Sequence, residues 1–322
     1  MSVYSIYGVT FTTTLTFRSP LPPSSRAPEL TVTEQYGAIP LEGAQLLSTL
    51  AEEYWIPAAI KYVYRFPTNE DLLLFPGGDQ ILISQKQMTY VHAGNHRERF
   101  DWLDVRMLGS GFAWWLLRQG KVPFHAGAIM VDGEAVLFLA ESRTGKSSLM
   151  CSFLAKGYAL LCDDLVAVEQ SAEGQIMAMS AYPQMRMWPT TIEQFIGTPD
   201  PFLSVIEGGV KRRVPIGKIW GRFLEGAFAV SRIYLLKRRE EDNGPIQVRP
   251  LLGHEAFMAL LSGITMVSVF PLSESDNIWL LLEKLVQQVP LYELSYPSGW
   301  QWLPTVHEAI LEPKNLMSEA CH

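Results

Sequence analysis

Apolar and polar residues alternate through residues 3–17, a stretch rich in threonine, and this period of two predicts one or two β-strands. The run Ser19-Pro20-Leu21-Pro22-Pro23-Ser24-Ser25 can be neither helix nor central strand and reads as a surface loop. Residues 41–54 predict a short helix. Residues 62–66, 72–75, 80–84 and 88–92 predict short strands, with Pro67 bounding the first and Gly77-Gly78-Asp79 supplying a hairpin turn. The N-terminal third therefore reads as mostly antiparallel β.

Residues 101–119 predict a helix, with Asp101 or Asp104 favouring its first turn, Gly120 ending it, and Trp114 and Trp115 giving it large apolar surfaces. Residues 122–130 and 135–139 predict strands joined at 131–134. An amphipathic helix over 149–155 stops at Gly157, and residues 158–162 read as a buried strand ending in Asp163-Asp164. Residues 175–179 and 182–188 continue the sheet. A loop-rich stretch over 197–215 carries the basic cluster Lys211-Arg212-Arg213, and residues 233–237 and 246–250 read as a hairpin around 241–244. Helices near 255–261 and 277–288, a strand at 291–294 and a short helix at 306–311 complete the pattern. There is no internal repeat and no low-complexity tract.

Composition narrows the class. A chain of 322 residues suffices for one large domain or two ordinary ones, and 48% hydrophobic with 18% charged residues describes a globular protein with a sizeable core. A net charge of −7 argues against nonspecific nucleic-acid binding. Three cysteines, Cys151, Cys162 and Cys321, fit neither a disulfide framework nor a zinc site, and the first two read as small core residues of a protein in a reducing compartment. Residues 1–17 lack the charge and apolar run of a signal peptide, and no apolar run reaches membrane-spanning length. The expectation is a cytoplasmic protein with neither nucleic acid nor membrane as partner.

Between the apolar run Ala135-Val136-Leu137-Phe138-Leu139 and the helix at 149 lies Ala140-Glu141-Ser142-Arg143-Thr144-Gly145-Lys146-Ser147-Ser148. Strand, loop and helix in that order are the context of a phosphate-binding loop. Its backbone N–H groups cradle phosphate oxygens, aided by the helix N-terminus, while Lys146 adds a full charge and Ser147 a hydroxyl for Mg²⁺. Ser142, Arg143, Thr144, Gly145, Lys146, Ser147 and Ser148 are therefore the candidate nucleotide-binding residues, and Arg143 can reach over a phosphate. A bare strand–helix turn without ligand is the competing reading.

Phosphoryl transfer also needs a metal position and a proton acceptor. Asp163 and Asp164 suit both, because in a parallel sheet their strand end faces the same rim as the loop. One carboxylate can hold Mg²⁺ and the other orient and deprotonate a hydroxyl; a turn or cap pair is the alternative. His125, in Phe124-His125-Ala126-Gly127-Ala128, can tune a neighbouring Asp or touch phosphate, or serve as a core histidine. His92 reads as structural. The cluster at 211–213 can close over a γ-phosphate or bind an acidic substrate, although solvated surface is the expectation for at least two of its three residues. Trp114, Trp115 and Trp188 read as core rather than as base-stacking platforms.

The block from His125-Ala126-Gly127-Ala128, through Val131-Asp132-Gly133 and the loop, to Gly157-Tyr158 and Asp163-Asp164 resembles the catalytic domain of HPr kinase/phosphorylase. Together with Tyr4-Ser5-Ile6-Tyr7-Gly8-Val9 and Gln184-Met185-Arg186-Met187-Trp188-Pro189, it resembles still more the HPr-kinase-related proteins found beside peptide natural-product genes, among them kinases that phosphorylate lasso-peptide precursors on a C-terminal serine. The resemblance implies an α/β fold: a P-loop kinase core of the HPr kinase/phosphoenolpyruvate carboxykinase type over residues 99–322, with a smaller, mostly antiparallel β N-terminal domain over 1–98. It implies ATP, Mg²⁺ and a serine hydroxyl on a peptide or small protein. By position, Lys146 and Ser147 would bind phosphate and metal, Asp163 would be the metal-side carboxylate, Asp164 the proton acceptor and His125 their neighbour. An HPr-like protein or a serine-like metabolite is the alternative acceptor, and a noncatalytic nucleotide-sensing partner the alternative class. The chain departs from HPr kinases at Gln184-Met185-Arg186-Met187, where those enzymes carry Glu-Ile-Arg-Gly: a neutral amide binds Mg²⁺ more weakly than the Glu that helps hold metal. Their hexameric assembly is not carried over, and a homo-oligomer is left open.

Overall fold

Eight strands form the first sheet of the computed structural model, which describes residues 1–50, 59–94, 100–141, 144–206, 208–240 and 244–312. They are β1 (Ser2–Ile6), β2 (Val9–Thr13), β3 (Leu30–Tyr36), β4 (Gln45–Thr49), β5 (Tyr62–Arg65), β6 (Asp71–Leu74), β7 (Gln80–Ile83) and β8 (Gln87–His92), in the spatial order β1-β2-β3-β8-β7-β6-β5-β4. Pairing is antiparallel except where β3 runs parallel to both β2 and β8. The helix expected at 41–54 is replaced by β4. Gly43 sits at φ +75°, which a helix cannot use, and Gln45–Thr49 gain more by extending the hairpin edge against β5; residues 51–54 of that expectation lie outside the described residues.

Phe100–Asp104 (α1), a π-helical turn at Val105–Gly111 and Phe112–Arg118 (α2) make one continuous helical segment packed on this sheet. Phe112 lies edge-on to Phe11 at 5.1 Å, and Trp114 donates its Nε1–H to the buried Asp71 at 2.8 Å. These contacts explain why Trp114 and Trp115 are core residues. Asp104 does not cap the helix. Its carboxylate accepts hydrogen bonds from the Ser19 N–H (2.7 Å), the Ser19 hydroxyl (2.7 Å) and the Arg213 guanidinium (2.7 Å).

The second sheet contains β9 (Val122–Phe124), β10 (Ala126–Val131), β11 (Glu134–Leu139), β12 (Ala159–Cys162), β13 (Val166–Gln170) and β14 (Ile176–Met179). It also contains β17 (Ala227–Arg239), β18 (Gln247–Leu251) and β19 (Leu291–Pro297). The path β12-β10-β11-β17-β14-β13-β9 is extended by β19 beside β17 and β18 beside β19. β15 (Gln184–Met187) and β16 (Arg212–Pro215) form a separate two-stranded ribbon, so the stretch expected to continue the main sheet does so only through β14. The hairpin expected from 233 to 250 is also absent: β19 enters parallel to β17 and takes β18 as its antiparallel partner. The remaining helices are α3 (Lys146–Ala155), α4 (Pro189–Phe195), α5 (Ile216–Ile219), α6 (Gly253–Gly263), α7 (Asp276–Gln288) and α8 (Leu303–Leu311). No described helix is long and apolar enough to cross a membrane. Cys151 and Cys162 are buried free thiols, whereas Cys321 lies outside the described residues.

β10 and β11 turn tightly at Asp132 and Gly133, both at positive φ, as a two-residue hairpin requires. β10 is antiparallel to β11 on one side and to β12 on the other. The carboxyl ends of β11 and β12 and the amino end of β10 thus share one edge of the sheet, which is where the loop before α3, the Asp163-Asp164 pair and His125 all emerge. The expected common rim is present, but through an intervening antiparallel strand rather than a parallel pair.

Helix α3 lies against this hairpin with Met150 directly over Gly127, where any Cβ would overlap the methionine sulfur. Gly127 therefore sets how closely α3 seats on β10. Gly127→Ala is expected to cost about 1–3 kcal/mol by overpacking, and that cost should largely vanish in a Met150→Ala background when the four variants are compared by urea unfolding; equal costs in both backgrounds would break the assignment.

Candidate functional site

Gly145 caps α3 at φ +93°, a conformation open to glycine, and Lys146 begins the helix. The preceding turn is fixed by the Thr144 hydroxyl donating to the Glu141 carbonyl (2.6 Å) and by the Tyr296 hydroxyl donating to the Thr144 carbonyl (3.1 Å). Ser142 and Arg143 lie outside the described residues. The Lys146 side chain is only 7% exposed, and its ammonium has no hydrogen-bond partner among the described residues. It stands 3.9 Å from Asp164 Oδ1.

Strand β12 ends at Cys162, so both members of the Asp pair lie in the turn that follows it. Asp164 adopts φ +66°, while the Asp163 carbonyl accepts the Leu165 N–H at 2.9 Å to close the turn. Asp163 is buried, its Oδ2 accepting the Arg186 N–H at 2.9 Å and its Oδ1 unpartnered among the described residues. Asp164 faces the Arg186 guanidinium at 3.5 Å. His125 sits in the break between β9 and β10, held by its N–H donating to the Gly263 carbonyl at 2.7 Å.

These groups border two cavities. The larger, about 380 Å³, is bounded by Gly145, Lys146, Ser147, Ser148, His125 and Asp164 together with Trp188, Lys211, Arg238 and Trp300. The smaller, about 180 Å³, lies behind the Asp pair and shares His125 and Asp164 with the first; Asp163 opens onto this one alone. The structure thus gathers Gly145, Lys146, Ser147, Ser148, Asp164 and His125 around one space and sets Asp163 behind it. His92 is elsewhere, paired with Glu34 at 2.9 Å. Gln184 turns its amide toward the Ser19 hydroxyl (3.3 Å) in the Asp104 network, away from both cavities.

The expectation for 211–213 needs correcting. Arg213 is buried against Asp104, Arg212 is half-buried on the Ser204 hydroxyl (2.6 Å), and Lys211 stands over the Trp188 ring at 5.6 Å and faces the large cavity. None of the three is open surface, because β16 folds this segment onto β15. Trp188 likewise belongs to the cavity wall rather than to the core. Sequence reasoning missed Arg238 and Trp300. Arg238 sits within a basic run at the end of a long strand, a faint signal; Trp300 carries none, since it reaches the site only through β19.

Charge follows this geometry. The Lys146 ammonium, and then burial, push the His125 pKa down to about 4, so the ring is neutral at pH 7. Burial, reinforced by the adjacent Asp164 charge, raises Asp163 to about 6. Burial pushes Asp164 up as well, but Lys146, Arg186 and Lys211 outweigh it and hold the carboxyl at about 2. The result is an anionic Asp164 set among cations, with a carboxyl behind it that is easily protonated.

No protein-family model and no curated protein matches the chain. Among solved structures it is similar to the HPr(Ser) kinase/phosphatase from Coxiella burnetii, at 14% identity over 62% of this chain and 93% of that one, with a TM-score of 0.36. So low a score carries neither fold nor activity across.

By NMR of the imidazole nitrogens, His125 should titrate near pH 4, and Lys146→Met should raise that midpoint by removing its largest cause. A midpoint near the ordinary histidine value in the wild-type chain would contradict this placement of charge.

Proposed function

We propose that this chain is an ATP-dependent kinase that transfers the γ-phosphoryl group of ATP to an alcohol. The observation that carries the reading is the buried, hydrogen-bond-free Lys146 ammonium at the head of α3, facing Asp164 across 3.9 Å at the wall of a cavity of about 380 Å³. A buried cation without hydrogen bonds costs several kcal/mol unless something anionic meets it, and a polyphosphate at a helix N-terminus is the group that fits. A further hollow of about 210 Å³, which shares Gly145, Ser148, Arg238 and Trp300 with the first, gives a nucleoside room to extend beyond its phosphates.

Mg²⁺ fits the donors present. No described cluster of three or more His, Cys, Asp or Glu could enclose a metal, but kinase Mg²⁺ is held by one or two carboxylates together with substrate phosphates. Ser147 lines the phosphate cavity, and Asp163 offers an oxygen with no hydrogen-bond partner among the described residues; these two residues would hold the ion. When bound it neutralises charge developing on the transferred group. Lys146 and Lys211 both line the cavity and supply positive charge, and the neutral His125 adds no competing charge. Asp164 orients the acceptor hydroxyl and receives its proton. Phosphate oxygens offset the cations that depress Asp164, which brings its basicity nearer the working range as the site fills.

The acceptor implied by the sequence resemblance is a serine hydroxyl on a peptide or small protein, and the C-terminal serine of a lasso-peptide precursor is the first to try. An HPr-like protein and serine-like metabolites belong in the same panel, read by the gain of one phosphoryl group in mass. Asp164→Asn should lower transfer by roughly 10²–10⁴-fold while nucleotide affinity measured by calorimetry stays within a few fold; Lys146→Met should weaken nucleotide binding itself. Wild-type transfer by Asp164→Asn would remove Asp164 from its role.

A further inference from the structure

We infer that the smaller cavity is the acceptor pocket, built for the side chain of a serine-sized aliphatic alcohol; this rests on the kinase reading above. The two cavities meet at His125 and Asp164. A γ-phosphoryl group on the Lys146 side and a hydroxyl on the other would approach each other across the same carboxylate, as in-line transfer requires. In that step the acceptor oxygen bonds to the γ-phosphorus while the bond from phosphorus to the β–γ bridging oxygen breaks. ADP leaves with that electron pair, and the hydroxyl proton passes to Asp164.

The walls are polar where a hydroxyl would sit. Thr265 Oγ1 and Asp163 Oδ1 are both buried and without hydrogen-bond partners among the described residues, and both residues line this space. A buried polar atom left unmatched is costly, and a small alcohol can meet Thr265 by accepting from its hydroxyl while its own proton points to Asp164, the carboxylate that receives it. Arg186, Ser110 and the Tyr7 and Tyr182 rings share the remaining wall with the apolar Val105, Leu108 and Leu165. Three irregular backbone segments converge to shape the pocket: the Tyr7-Gly8 turn at positive φ, the π-helical turn at Val105–Gly111, and Met266 at φ +72°. Strained residues and π-turns persist mainly where function holds them. At about 180 Å³ the space is well below that of a nucleotide or drug-sized ligand.

Gly109 offers a clean way to fill it. It lines the pocket, has an ordinary φ, and a Cβ there meets nothing within 4 Å. The experiment uses the full chain saturated with a non-hydrolysable ATP analogue and Mg²⁺. N-acetyl-serinamide is then titrated in, and the NMR signals of Gly109, Ser110 and Thr265 are followed. The expectation is saturable shifts in the wild-type chain and none in Gly109→Leu, while the analogue shifts Gly145 equally in both. With ATP in place of the analogue, Thr265→Val should raise the KM for N-acetyl-serinamide roughly tenfold, the worth of one hydrogen bond, at unchanged nucleotide affinity. Absent shifts in the wild-type chain, shifts that survive in Gly109→Leu, or tighter binding of N-acetyl-tyrosinamide would each overturn the pocket. A Gly145 signal unmoved by the analogue would instead overturn the kinase reading on which the pocket rests.

Discussion

The buried Lys146 ammonium and the partly exposed Asp164 carboxylate, 3.9 Å apart at the edge of a sheet, organise the rest of the site. At that separation the pair attracts without being hydrogen-bonded, so the Lys146 ammonium is not fully matched. Burial makes the mismatch expensive, since a charge removed from water needs both an opposite charge and good hydrogen bonds. Around the pair, Arg186 and Lys211 lean the local balance positive and hold Asp164 ionised at about 2, while the same field keeps His125 uncharged. A buried ammonium left without a hydrogen-bond partner among the described residues is suited to receive a polyanion.

The scaffold exists to hold that pair in register. Strand β10, antiparallel to both neighbours, brings two strand ends and its own beginning to one edge, and Gly127 lets α3 lie close enough for its first residue to reach the same edge. The N-terminal sheet contributes at a distance. Asp104 ties Ser19 to Arg213, which steadies the β15–β16 ribbon, and that ribbon delivers the Arg186 N–H to Asp163. A long-range buried network thus reaches the edge that carries Asp163 from the far end of the chain.

What was legible beforehand follows from where information is local. The strand, glycine-lysine loop and helix at 135–155 announce themselves by periodicity and by one residue that must adopt positive φ, and Asp163-Asp164 stands out because charge rarely ends a buried strand. The short strands of the first sheet were readable for the same reason. Partners were not. β18 pairs β19 across an intervening helix pair, β15 leaves the main sheet for β16, and β4 forms at a helix-like stretch because an edge was free. Each depends on a distant segment that no local window contains. Arg213 looked like solvated surface for the same reason: its partner Asp104 lies 109 positions away. Trp300 and the small cavity were invisible, and Arg238 only faintly signalled, because they arise only where separate elements meet.

The most direct test is a crystal structure of the full chain grown with a non-hydrolysable ATP analogue and Mg²⁺. The terminal phosphate should lie between the Lys146 ammonium and Asp164, with the loop amides around Gly145 turned toward it and the nucleoside directed past Arg238 and Trp300. A nucleotide bound elsewhere, or one whose terminal phosphate points away from Asp164, would contradict the assignment of this edge as a phosphoryl-transfer site.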